Sequence, residues 1–164
     1  MEMMNQQPHE HGLEKFVSAQ SSDYETALEE IRGGRKRSHW MWYIFPQIAG
    51  IGRSPTAQFY GIRDLRQAKD YMAHPVLGPR LVEISKALMA LPSSDPGAVM
   101  GYPDDLKLCS SMTLFELAAP DQPVFGMVID KFFAGKRDPL TLQLLGLIHS
   151  VCERPDNLTY AQGV

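Results

Sequence analysis

Residues 35–47 read Arg-Lys-Arg-Ser-His-Trp-Met-Trp-Tyr-Ile-Phe-Pro-Gln. Three cations run directly into a histidine and then into a block of large aromatic and apolar side chains. In an ordinary core helix the cations and the aromatic residues would lie on different faces, whereas here they follow one another along the chain. The segment from His39 to Phe45 is apolar on nearly all sides. We therefore expect a helix there, ended by Pro46 and lying in the centre of the fold.

Helical patterns separated by proline and glycine make up the rest of the chain. Four dipeptides place a polar residue before proline, which suits an N-cap followed by the first helical position. Helices are expected to begin at these four prolines, Pro55, Pro75, Pro96 and Pro139. Apolar spacing predicts further helices behind Asp64 and over residues 104–118 and 124–134. No strand-like alternation is present, so the sequence predicts an all-α fold, a single compact multi-helix domain with a central Trp-rich helix.

Two helices are expected before the basic run, which consists of Arg35, Lys36 and Arg37. Phe16 to Gln20 suggests a short first helix. Ser22-x-x-Glu25 matches a capping box, and apolar residues at helical spacing follow it up to Gly33-Gly34. The sequence thus predicts a second helix that begins near Ser22.

Length and composition predict one domain over residues 13–154, with a disordered N-terminal tail at residues 1–12 and a flexible C-terminal tail at residues 155–164. The formal net charge is -3, so a general attraction to nucleic acid polymers is not expected. No apolar run is long enough for a membrane helix, and no signal peptide is recognisable. Cys109 and Cys152 lack metal-site spacing, and His9 and His11 alone are weak evidence for a metal site. We expect a cytoplasmic protein with reduced cysteines, without a metal or cofactor.

The functional interpretation of residues 35–47 is that they form a cavity with aromatic walls and a positively charged rim. Arg35, Lys36 and Arg37 would attract a small anionic ligand, and Trp40 or Trp42 would stack on its planar part. Gln47 lies on a turn directly after Pro46, and its amide would form hydrogen bonds with a polar edge of the ligand. The alternative reading is a buried helix preceded by a solvated basic turn.

Two residues are candidates for acid–base catalysis. His39 could act as a general acid or ligand donor, although a histidine at a helix entry also serves as a cap or core residue. Asp138 is expected first as the N-cap of the helix at Pro139. If it also approached Arg35 or His39, it would be the most credible carboxylate for acid–base chemistry.

Four further side chains are candidate ligand contacts. Lys107 and Ser110 lie on one side of a predicted helix, where they could face a cavity or water. Arg80 could enter a cavity or extend into solvent. Tyr60 offers a ring face and a hydroxyl, and packing is its simpler role. Phosphate-binding, dinucleotide-binding, nucleophile-elbow and zinc-protease motifs are all absent from the sequence.

Several segments together resemble an uncharacterised bacterial family, domain of unknown function 1810. They are residues 34–42 (Gly-Arg-Lys-Arg-Ser-His-Trp-Met-Trp), 45–47 (Phe-Pro-Gln), 50–52 (Gly-Ile-Gly), 16–20, 74–81, 104–115 and 133–138. The resemblance covers roughly residues 13–152 and implies a mainly α-helical fold without an established activity. Members are sometimes labelled calpastatin, but nothing in this chain resembles a calpain inhibitor repeat.

The chain is also similar, in helical domain size and in its early aromatic-x-x-Ala-Gln element, to the ADP-ribose-processing family named for NAD and ADP-ribose. That family's acidic and lysine motif is not recognisable here, so the similarity implies fold and ligand chemistry only.

These observations predict a helical domain that binds a small anionic, nucleotide-like or ADP-ribose-like ligand and could act on its glycosidic or phosphate bond. The alternative is a non-enzymatic interaction module that docks a partner protein on its Trp-rich face. The sequence leaves open the ligand, any catalytic activity, the oligomeric state and the protonation of His39.

Overall fold

The computed structural model describes residues 12–148, which form an all-α domain. These residues contain nine helices and no strand: α1 (Glu14–Arg32), α2 (Met41–Ile44), α3 (Pro55–Phe59), α4 (Leu65–Ala73), α5 (Leu77–Met89), α6 (Pro96–Met100), α7 (Asp104–Ala118), α8 (Val124–Phe133) and α9 (Pro139–Leu144). The predicted all-α single domain is confirmed. The tails predicted for residues 1–12 and 155–164 fall, apart from Gly12, outside the described residues, as do His9, His11 and Cys152.

Helix α1 is continuous where two helices are predicted. Ser22 lies inside it, and its hydroxyl donates to the Ala19 carbonyl (3.5 Å) rather than capping a new helix. No glycine or proline lies between residues 14 and 32. Phe16, Tyr24 and Ile31 belong to one buried stripe along the whole helix, so burial favours continuation. The predicted helix start near Ser22 is wrong.

Local capping sets the start of most later helices. Predicted N-caps accept backbone N–H groups as follows: Ser54 from Ala57, Asp64 from Gln67, Asp95 from Gly97 and Ala98, and Asp138 from Thr141. His74 departs from this pattern, since α5 begins at Leu77 rather than at Pro75. The His74 imidazole instead accepts the backbone N–H groups of Val76 (3.1 Å) and Leu77 (3.3 Å) through Nδ1.

Helix α7 is surrounded by other helices. It packs against α4, α6, α8 and α9. Leu108, Met112 and Phe115 are fully buried in it, and so are the polar residues Ser111 and Thr113. Because α7 is covered on most sides, its partly exposed N-terminal turn is where it can contribute to a site.

The Trp-rich segment lies in the core but forms a short helix. Trp40, Met41, Ile44 and Phe45 are buried. Only Met41–Ile44 is helical, and the chain then turns at Pro46. The following loop is tied to the segment before α4 by Ile62, whose backbone N–H donates to the Gln47 carbonyl (2.8 Å). The loop after α2 therefore has a fixed position beside α7 and α9.

Candidate functional site

The three cations of the basic run do not share one environment. Arg35 and Arg37 are exposed. The Lys36 side chain is only 7 % exposed, and its ammonium pairs with the Asp104 carboxylate at 2.8 Å. The ammonium also donates to the Ser38 carbonyl and lies 4.9 Å from the centroid of the Trp40 ring. Lys36 therefore has a structural role and does not present a free positive charge to solvent.

Glu30, which the sequence analysis does not single out, organises the loop before α2. Its carboxylate accepts the backbone N–H groups of Arg37 (2.8 Å) and Ser38 (3.0 Å), the Ser38 hydroxyl (2.5 Å) and the Trp40 indole N–H (2.9 Å). Burial alone would raise the pKa of Glu30, but these hydrogen bonds outweigh it, the Ser38 hydroxyl foremost, and lower the pKa to about 2. One carboxylate on α1 thus orders the whole segment.

His39 and the two tryptophans do not line a described cavity. His39 is exposed, and its backbone carbonyl accepts from the Tyr43 hydroxyl (3.3 Å). Trp40 is 1 % exposed, with its indole N–H held by Glu30. Trp42 is partly buried, and the ammonium of Lys107 lies 5.2 Å from its ring centroid.

A cavity of about 340 Å³ lies between α7, α9 and the loop after α2. Its volume falls near the lower end of the range for small-molecule sites. Four predicted site residues line it, namely Gln47, Lys107, Ser110 and Asp138. Its remaining wall is mostly apolar and consists of Ile51, Gly52, Pro103, Leu106, Pro139 and Leu140. The cavity thus combines one cation, one carboxylate and one amide with apolar walls.

Asp138 is fixed at the edge of this cavity by the N-terminus of α9. Its Oδ2 accepts the Ser110 hydroxyl (2.9 Å), the Thr141 hydroxyl (2.5 Å) and the Thr141 backbone N–H (3.2 Å). The backbone N–H of Asp138 donates to the Thr113 hydroxyl (3.0 Å). The predicted N-cap role is confirmed, while the partners of the side chain are these hydroxyl groups and not Arg35 or His39.

Lys107 supplies the cavity's positive charge. Its ammonium lies 3.4 Å from the Asp104 carboxylate, and its side chain is 25 % exposed. Asp104 also pairs with Lys36, so this carboxylate connects the basic run to the cavity wall. In space, the Asp104 carboxylate lies between the two lysines, and each lysine in turn lies near a tryptophan ring, Lys36 near Trp40 and Lys107 near Trp42.

Tyr60 and Arg80 lie in other parts of the fold. Tyr60 packs against the rings of Phe16 and Tyr43, with centroid distances of 5.6 and 5.2 Å. The Arg80 guanidinium lies 3.4 Å from the Gln20 side-chain oxygen and 4.9 Å from the centroid of the Tyr24 ring. Neither residue lines a described cavity.

A wider groove of about 950 Å³ lies along α5 and contains none of the predicted site residues. It is lined by Arg32, Met72, Gly78, Pro79, Val82, Glu83, Lys86, Ala87, Ala90, Leu91, Pro92 and Gln122. Two of its charged members, Arg32 and Glu83, are well exposed and lie 3.9 Å apart. Solvated charges of this kind contribute little to recognition. The smaller cavity, with its buried carboxylate, is the better candidate site.

No set of three or more His, Cys, Asp or Glu side chains within residues 12–148 has an arrangement that could hold a metal ion. In the same part of the chain, no helix has the length and apolar character needed to span a membrane.

The apolar half of the site and the carboxylates of Asp104 and Glu30 are not predicted from the sequence. Leu106 and Leu140 resemble ordinary core residues, and nothing in the sequence indicates that they meet across a cavity. Asp104 lies three residues before Lys107, and that helical spacing is a usable signal for their ion pair. Glu30 gives no such signal, since its partners follow seven to ten residues later through a turn.

A family model described as "Protein of unknown function (DUF1810)" matches residues 10–145. The chain belongs to this family. Among solved structures, it is similar to the crystal structure of the conserved hypothetical protein Rv1873 from Mycobacterium tuberculosis. The two share 43 % sequence identity and a TM-score of 0.82, over 87 % of this chain and 100 % of that one. No curated protein matches the chain. The resemblance to the family inferred from the sequence segments is therefore confirmed.

Proposed function

We propose that the cavity between α7, α9 and the loop after α2 binds a small anionic ligand, with a nucleotide-like or ADP-ribose-like compound as the first class to test. The observation that carries the proposal is the convergence of Lys107 and Asp138 on one cavity of about 340 Å³. A few convergent polar groups on apolar walls are the usual anatomy of a small-molecule site. The sequence further favours a cytoplasmic location for this function.

Lys107 is the group that would meet the ligand's anion. It is partly exposed, and its ion pair with Asp104 is long enough, at 3.4 Å, for the ammonium to gain a second anionic partner. Gln47, whose backbone is held by Ile62, would contribute an amide to a polar edge of the ligand. Arg35 and Arg37 lie outside the cavity and would act on the ligand only at long range, where salt screens them.

Catalysis on a glycosidic or phosphate bond would rest on Asp138. Of the residues between 12 and 148, it is the only carboxylate that lines this cavity, whereas most glycosidases use a pair. His39, the other residue predicted for acid–base chemistry, is exposed elsewhere. Binding is therefore the primary proposal, and product formation from a bound nucleotide or ADP-ribose, lost in Asp138→Asn, tests the catalytic extension.

The alternative of an interaction module needs an exposed Trp-rich face. Trp40 is buried beneath Lys36 and bonded to Glu30, and the Trp42 ring is flanked by Lys107. Aromatic anchors of protein interfaces need access to the partner. The geometry therefore favours the small-ligand proposal.

The test is a thermal-shift screen across nucleotides and their sugar derivatives, followed by calorimetry on the compounds that stabilise the protein. Binding to the native state alone raises stability by about 2.7 kcal/mol at a hundredfold excess over Kd. Lys107→Gln should weaken binding by roughly tenfold or more, since a charge-assisted contact is lost. Added salt should weaken wild-type binding.

Lys69→Gln is the matched control, because Lys69 is an exposed lysine on α4 that does not line the cavity. It should bind like the wild type. The proposal is refuted if no compound stabilises the protein, or if Lys107→Gln binds every stabilising compound as tightly as Lys69→Gln does.

A further inference from the structure

The Asp138 carboxylate is hydrogen-bonded through one oxygen and not through the other. Oδ2 accepts three hydrogen bonds, from the Ser110 hydroxyl and from two groups of Thr141. No group within residues 12–148 donates to Oδ1. The residue is nevertheless only 3 % exposed. Within the described residues, this largely buried carboxylate retains acceptor capacity at Oδ1 that no donor fills.

Oδ1 belongs to a residue that lines the cavity. Among residues 12–148, the fully buried side-chain atoms without a hydrogen-bond partner are Asp70 Oδ2 and Ser111 Oγ, and Asp138 Oδ1 does not belong to this set. Asp138 lines the cavity, and almost all of its remaining surface is covered. The cavity is therefore the side from which a bound molecule would reach Oδ1.

We infer that Asp138 Oδ1 accepts a hydrogen bond from a hydroxyl group of the ligand, an inference that rests on the proposed function of the cavity. A carboxylate accepts hydrogen bonds and repels anions. The anionic group of the ligand would therefore lie at Lys107, and its hydroxyl group would lie at Asp138. The ligand class is thereby narrowed to hydroxylated anions with the chemistry of a sugar phosphate. An anion whose other surface is wholly apolar would leave Oδ1 unpaired.

Asp138→Asn separates this role from capping. Asparagine is as good an N-cap as aspartate, and its oxygen can take the place of Oδ2. Its amide nitrogen then takes the place of Oδ1 and presents donors where the wild type presents an acceptor. Asp95→Asn is the matched control, since Asp95 caps α6 before a proline in the same way and lies outside the cavity.

The experiment measures the affinity of the full-length protein for adenosine 5′-monophosphate and for its 2′,3′-dideoxy analogue by calorimetry. The wild type and Asp95→Asn should bind the dideoxy compound roughly tenfold more weakly, because the buried acceptor loses its donor. Asp138→Asn should bind adenosine 5′-monophosphate more weakly by a similar factor and should no longer distinguish the two compounds.

The outcomes separate the two proposals. If neither nucleotide binds the wild type, both are overturned for this ligand class. If the wild type binds both nucleotides equally, or if Asp138→Asn still distinguishes them, the role of Asp138 is overturned. The proposed function then stands as long as Lys107→Gln weakens binding. Should Asp138→Asn melt far below Asp95→Asn, the comparison of the two nucleotides on the wild type decides the inference by itself.

Discussion

Replacing Glu30 by glutamine should destabilise the protein and change how its stability depends on pH. Glutamine keeps an acceptor oxygen for the N–H groups of Arg37, Ser38 and Trp40, so the geometry of the loop can survive. It removes the negative charge that strengthens those hydrogen bonds. An amide NH2 replaces the other oxygen, Oε2, which in the wild type accepts the Ser38 hydroxyl at 2.5 Å, so in the variant this hydroxyl has to turn and accept from the amide.

The magnitude follows from the carboxylate's pKa. A folded-state pKa of about 2, against an ordinary value of 4.5, is equivalent to about 3 kcal/mol. The Glu30 side chain is only partly buried, so solvent screens part of this interaction energy. We therefore expect the charge to contribute about 1.5 kcal/mol, half or less of that value, to the free energy of unfolding at pH 7. Because the folded-state pKa is lowered, this contribution is complete above about pH 4.5 and is lost as the pH falls toward 2.

Urea denaturation followed by circular dichroism, at a series of pH values between 7 and 2, measures the effect. Glu29→Gln is the control, because Glu29 is an exposed neighbour on the same helix and its replacement removes the same charge. Glu30→Gln should be less stable than Glu29→Gln at pH 7, and the two variants should converge at low pH. Equal stability at pH 7, or a difference that does not diminish toward pH 2, would refute the assignment of Glu30.

Two further variants test packing. Lys36→Met should lower the free energy of unfolding in urea by about 2 kcal/mol, because it removes the closer of the two lysines that pair with the largely buried Asp104 carboxylate, whereas Arg35→Gln, at an exposed position, should change it by no more than about 0.5 kcal/mol. Gly78→Ala should cost about 3 kcal/mol, measured by thermal unfolding, since the added Cβ would lie 2.1 Å from the Met72 carbonyl oxygen. Gly97→Ala is its control, because the added atom meets only an ordinary contact at 3.4 Å, and an equal loss in both glycine variants would contradict the packing argument.

Part of the candidate site is predictable because its geometry is local. Lys107 and Ser110 lie on the same side of α7 by helical periodicity, and both line the cavity. Asp138 precedes a proline, which identifies it as an N-cap, and this role holds the Asp138 side chain at the N-terminal end of α9. Gln47 follows a proline turn whose position the sequence indicates. These four predictions depend on spacing within one or two turns of chain.

The environments of the three cations in the basic run are not predictable from local spacing. Arg35, Lys36 and Arg37 are equivalent as a sequence of cations, yet Lys36 is buried and the two arginines are exposed. The difference arises because Asp104, far along the chain, lies within 2.8 Å of Lys36 and not of its neighbours. The direction of each side chain is set by the turn that Glu30 holds, and no pattern in residues 35–37 encodes it.

Local sequence patterns are enough to predict the all-α class and the starts of the capped helices α3, α4, α6 and α9. Helical periodicity, proline at the first turn and small polar caps are local preferences, and local hydrogen bonds satisfy them wherever the helix later packs. Packing between distant segments brings Lys107 and Asp138 to one cavity and places the Trp40 indole against Glu30. Those outcomes depend on contacts between residues distant in the chain, such as Ser110 with Asp138 and Glu30 with Trp40, whose geometry exists only after the helices have packed.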